Sequence, residues 1–76
     1  MNKVRRKALA NIKEQLETLK EELETLKEEE EDCRDNMPES LQGSERYEAS
    51  ENASDNMDSA YDSLDEAISS LEEAIA

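Results

Sequence analysis

Leucines fall at positions 16, 19, 23 and 26, and the heptad L-E-T-L-K-E-E is written twice without change over residues 16–22 and 23–29. A 3-4-3 spacing of apolar residues puts them on one edge of an α-helix. With Leu16 at heptad position a, the edge extends to Leu9, Ile12, Leu16, Leu19, Leu23, Leu26, Glu30 and Cys33. Lys13, Lys20 and Lys27 then stand at e, and Gln15, Glu22 and Glu29 at g. Apolar a and d positions flanked by opposite charges describe a coiled-coil seam, so the pattern predicts a first helix over about residues 2–34.

The pattern stops at Asp35-Asn36-Met37-Pro38. Proline disfavours helix at the residue before it. Residues 35–44 therefore read as a turn, with Pro38–Gln42 able to form one helical turn. Gly43 is placed to stop that turn and Ser44 to cap the helix that follows.

A second helix is predicted over about residues 45–76. Its heptads repeat as 57–63, 64–70 and 71–76, with Ala53, Met57, Ala60, Leu64, Ala67, Leu71 and Ala74 at the inner positions. A further stripe, Tyr47, Tyr61, Ile68 and Ile75, lies beside them at e. Antiparallel pairing of a with d sets Leu26 against Met57, Leu23 against Ala60, Leu19 against Leu64 and Leu16 against Ala67. Large then often meets small, which lets helices approach closely. The fold class expected is all-α: one antiparallel two-helix coiled-coil hairpin over residues 1–76. In this register Tyr47, Tyr61, Ile68 and Ile75 have no partner in their own chain. They are expected to form the interface of a homodimer, most simply a four-helix bundle.

Composition narrows the choice of class. A chain of 76 residues with two tyrosines and neither tryptophan nor phenylalanine has little material for a thick core. One cysteine cannot cross-link the chain to itself, and there is no histidine. Cys33, without such neighbours, reads as a packing thiol rather than a nucleophile or ligand. No catalytic set, metal site or cofactor is expected, and a two-helix hairpin offers no cleft to an enzyme. The basic opening is followed by no apolar run, so neither export nor membrane insertion is expected, and the cytoplasm is the expected location.

The net charge of −13 is unevenly spread. Residues 47–76 carry nine acids and no base. Lys3, Arg5, Arg6 and Lys7 crowd the start of the first helix and Glu28–Asp32 its end, the wrong way round for the helix dipole. In the antiparallel register the basic cluster lies near Glu72 and Glu73, which would compensate it. The acidic run lacks the spaced oxygen ligands and the glycine of a calcium loop and reads as a solvated helix end.

The turn segment Asn36-Met37-Pro38-Glu39-Ser40-Leu41-Gln42-Gly43-Ser44-Glu45-Arg46-Tyr47-Glu48, between two acidic heptad helices, resembles short acidic helical proteins of phages and mobile elements in gut Firmicutes. That resemblance implies accessory genes, where small inhibitors of host defence are common. It carries over no functional residues.

The candidate binding surface is the row Glu48, Glu51, Asp55, Asp58, Asp62, Asp65 and Glu72 at positions b and f of the second helix. Consecutive members rise by about 4.5 or 6 Å at 1.5 Å per residue, save the last step. Duplex phosphates repeat at a comparable interval, about 3.4 Å of axial rise per strand. Such a row could occupy a basic nucleic-acid channel as a mimic of a strand, and it would itself repel nucleic acid and anionic membrane. The partner expected is a protein with a basic surface, such as a nuclease, in an anti-CRISPR or anti-restriction role. Two alternatives stay open: a charged face that serves only solubility, and a structural or adaptor coiled coil that works by helix–helix association.

Overall fold

The computed structural model describes residues 1–76 and contains two long helices joined by a short turn: α1, Lys3–Asp35, and α2, Glu45–Ile75, with a 3-10 turn at Glu39–Leu41 between them. The helices pack antiparallel into a hairpin about 60 Å long and 14 Å by 13 Å across.

Neither helix contains glycine or proline, and each begins on a side-chain cap. The Asn2 carboxamide oxygen accepts from the Arg5 N–H at 2.8 Å, and the Ser44 hydroxyl accepts from the Tyr47 N–H at 3.3 Å. Each cap satisfies one of the N–H groups that a helix start leaves without a partner. α1 ends where Asn36 folds back: its side-chain amide donates to the Asp32 carbonyl at 2.9 Å, just before Pro38 prevents continuation. Gly43 then takes φ +89°, a left-handed conformation open to glycine at no steric cost, and turns the chain into α2. The stop at Gly43 and the cap at Ser44 are those that the sequence pattern predicts.

The contact stripe is not the predicted a/d seam. On α1 the residues turned toward α2 are Leu9, Leu16 and Leu23 at a, and Lys13, Lys20, Lys27 and Arg34 at e, all half-buried. The d residues Ile12, Leu19 and Leu26 are exposed, at 47%, 51% and 56%. On α2 the stripe is likewise a and e: Ser50, Met57, Leu64 and Leu71 alternate with Ser54, Tyr61, Ile68 and Ile75. Ile68 is the one hydrophobic residue that is fully buried, at 5% exposure. Tyr47, Tyr61, Ile68 and Ile75, expected to be a spare stripe for a dimer, therefore lie within the hairpin's own interface.

The physical reason lies in the side chains at e. A lysine stem is an apolar four-carbon chain that covers its neighbours while the amine stays wet. Rotating each helix about its axis by about 50°, half the d-to-e angle, brings the α1 lysine stems and the bulky α2 e residues inward together. The same rotation lets each lysine amine reach an acid on the opposite helix. The cross-helix ion pairs Lys13–Glu72, Lys20–Asp65 and Lys27–Asp58 all join residues whose numbers add to 85. The a/d pairing of the sequence reading adds to 83.

Candidate functional surface

Two long faces flank the a/e contact stripe, and heptad geometry assigns their residues. In an antiparallel hairpin that packs through a and e, the b positions of both helices fall on one side and the d positions of both on the other.

On the b side the lysines at e sit among acids. The Lys20 amine lies 2.7 Å from Asp65 and 5.0 Å from the centre of the Tyr61 ring. Lys27 contacts Asp58 and, within its own helix, Glu31 at 3.9 Å. Lys13 bridges Glu72 at 3.5 Å and Glu17 at 3.8 Å. Hydrogen bonding to Asp65 is the main influence raising the pKa of Lys20, and hydrogen bonding to Asp58 does the same for Lys27; partial desolvation opposes both.

These pairs change the candidate acidic row. Asp58, Asp65 and Glu72 are committed to Lys27, Lys20 and Lys13 of the same chain. Glu48, Glu51, Asp55 and Asp62 remain exposed and have no ion-pair partner. The removal is periodic, because the lost acids are the later b positions. Glu48, Asp55 and Asp62 at f then stand a full heptad apart, about 10.5 Å along the helix. The sequence pattern could not show this, since the pairing depends on how far each helix is rotated toward the other. Nor does the basic cluster at Lys3–Lys7 find Glu72 or Glu73: Glu72 pairs with Lys13.

Arg34 was not singled out by the sequence. Its guanidinium crosses to α2 at the turn end of the hairpin. It donates to the Ser54 hydroxyl at 2.7 Å, the Ser50 hydroxyl at 3.3 Å and the Ser50 carbonyl at 3.1 Å. Ser50 and Ser54 are buried, at 6% and 5% exposure. The signal was there to be read: two serines stand at a and e, where every later α2 heptad carries bulky apolar residues. A small polar gap of that kind admits a long polar side chain from the facing helix.

On the opposite side α1 presents Ile12, Leu19, Leu26 and the exposed Cys33 as a ridge. Beside it heptad geometry places the half-buried Ala53 and Ala67 and the exposed Ala60 and Ala74 at d of α2, with Ala49, Asn56, Ser63 and Ser70 at g, a shallow strip without one charged residue. The outward f positions are acidic on both helices: Glu14, Glu21 and Glu28 on α1, and Glu48, Asp55 and Asp62 on α2, all exposed. No group of three or more histidine, cysteine or carboxylate side chains converges as a metal site would require. No helix is long and apolar enough to cross a membrane. No protein-family model, no curated protein and no solved structure matches this chain.

Proposed function

We propose that this protein is a small acidic protein-binding module that works by occupying a partner's basic surface rather than by chemistry of its own. One observation carries the reading. Every base between residues 13 and 34 is turned onto α2, as Lys13, Lys20 and Lys27 in ion pairs and Arg34 on buried serines. The outward rows Glu14, Glu21, Glu28 and Glu48, Asp55, Asp62 thus stand without a neighbouring free base along most of the rod. Such a surface projects a negative field that steers basic partners toward it. Proteins that grip a phosphate backbone offer that kind of complement. The likeness of the turn to proteins of mobile elements points to the same class, with host-defence nucleases of the CRISPR or restriction type as the partners to test.

The test is capture from bacterial lysate at low and high salt, followed by an assay of whether the captured protein still binds nucleic acid. Neutralising the unpaired acids together, as Glu48→Gln/Glu51→Gln/Asp55→Asn/Asp62→Asn, should abolish capture and inhibition. A variant that captures and inhibits like the parent removes the reading.

A second reading, a structural or adaptor coiled coil that works through helix–helix self-association, is favoured by a different observation. Ile12, Leu19 and Leu26 are exposed on one edge. The two readings use different faces.

A further inference from the structure

We infer that a second copy of this chain docks on the d face, with the two hairpins related by a two-fold axis running along their length. The inference rests on the self-association reading and deepens it by naming the face, the register and the symmetry.

Ile12, Leu19 and Leu26 recur every seven residues on α1, and each is about half exposed. A run of large apolar side chains in the open leaves apolar surface in water that burial would remove. The hairpin has a single fully buried hydrophobic residue to set against that exposure. The d face is also large enough. The two helices overlap over about 25 residues, about 38 Å at 1.5 Å per residue, so a face 14 Å wide covers roughly 530 Å² on each copy, about the lower end for a specific interface.

The cross-helix ion pairs set which residues of the two helices share a level along the rod. Two-fold symmetry leaves two ways to bring d face to d face. An axis across the rod stacks α1 on α1, so leucine ridge meets leucine ridge and alanine strip meets alanine strip. An axis along the rod sets α1 of one copy over α2 of the other. Residues then meet at the levels that the ion pairs define. Leu19 falls over Ala67, Leu26 over Ala60 and Ile12 over Ala74. Each large side chain meets a small one, which is what close helix packing requires. At the rim Glu22 meets Ser63 and Glu29 meets Asn56, so no like charges are forced together. The axial arrangement fills the groove with the ridge, whereas the transverse one leaves both mismatched.

The single native cysteine reports the symmetry. Cys33 is exposed at the end of the ridge. With an axial two-fold the two Cys33 residues sit at one level on diagonal helices, with α-carbons about 14 Å apart or less for neighbouring helices 8–10 Å apart. With a transverse two-fold they lie toward opposite ends, about 40 Å apart at 1.5 Å per residue. Spin labels on Cys33 distinguish the two by dipolar distance measurement. An Asp35→Cys/Cys33→Ala variant repeats the measurement from an outward position that cannot intrude on the interface.

The parent chain should sediment at twice the chain mass and give the short separation from both label positions. Leu19→Glu/Leu26→Glu should sediment as a monomer with its helical circular dichroism kept, because neither side chain lies in the hairpin's own contact stripe. A parent that stays monomeric up to hundreds of micromolar removes the self-association reading altogether. A dimer with the long separation leaves that reading standing and overturns the axial arrangement. A dimer that survives the double glutamate substitution overturns the d face as its interface.

Discussion

The Arg34 guanidinium reaches across the hairpin to the hydroxyl of Ser54 at 2.7 Å, the shortest of its three bonds to α2. It locks the turn end of the two helices together where the apolar stripe gives way to serines. Both serine side chains are buried, so removing the guanidinium strands their hydroxyls away from water. An unpaired buried polar group costs about 1–3 kcal/mol. Arg34→Met should lower stability by about that amount in thermal or urea unfolding. Ser50→Ala/Ser54→Ala in the same background should recover part of the loss, because it removes the stranded hydroxyls. Simple additivity of the changes would show that the arginine and the serines are not coupled.

Ile68 and Leu19 form a second contrast. In an a/d hairpin Leu19 would be core and Ile68 surface; here Ile68 is 5% exposed and Leu19 51%. Truncating a buried isoleucine to alanine costs about 2–5 kcal/mol, and a thin hairpin that relaxes around the gap belongs at the lower end. Ile68→Ala should therefore destabilise the isolated hairpin far more than Leu19→Ala does. The comparison is best made by urea unfolding over a dilution series, at concentrations where the midpoint no longer depends on concentration. Equal losses would restore the a/d seam.

The lysine pairs set a high-pH limit. Lys20 and Lys27 have pKa values raised above 10.5, chiefly by hydrogen bonds to Asp65 and Asp58. A group whose pKa is higher folded than unfolded contributes its full stabilisation below the unfolded value and loses it as pH climbs through the folded one. Melting temperature should thus carry the full contribution of these pairs and stay independent of their titration through neutral pH, then fall above about pH 10.5. Asp58→Asn/Asp65→Asn should flatten that alkaline fall. An unchanged alkaline profile in the variant would show that the pairs do not hold the hairpin.

Gly43 is the turn's one conformational requirement. Its φ of +89° suits glycine, although nothing lies within 4 Å of where a Cβ would sit. The penalty for a side chain is therefore backbone strain alone, about 1–2 kcal/mol. Gly43→Ala should lower stability by that amount, with Gly43→Asn intermediate, as read by thermal unfolding.

Salt should separate the two binding faces. Partner capture by carboxylates weakens as ions screen it. Dimer formation on the d face, which is apolar but for Glu22 and Glu29 at its rim, joins two chains of charge −13, so it should tighten in the same series. Sedimentation from low salt to about 0.5 M checks the second trend, and a dimer that dissociates as salt rises would indicate that ion pairs hold it.

Much of this architecture is legible in the chain itself. The identical heptads fix a long first helix, Pro38 and Gly43 mark the reversal, and Ser44 announces the second helix. Local chemistry decides those features: helix periodicity, a ring that restricts its neighbour, a residue free to adopt positive φ, and a hydroxyl that caps. The rotation of each helix about its own axis is not local. A heptad with apolar residues at a and d and lysines at e can turn either edge inward. Only the facing helix chooses between them, by offering Ile68 and Tyr61 to the lysine stems and acids to their amines. The acidic row that is continuous in the sequence lost Asp58, Asp65 and Glu72 to that choice. The same rotation brought Tyr47, Tyr61, Ile68 and Ile75 inside and turned Ile12, Leu19 and Leu26 out.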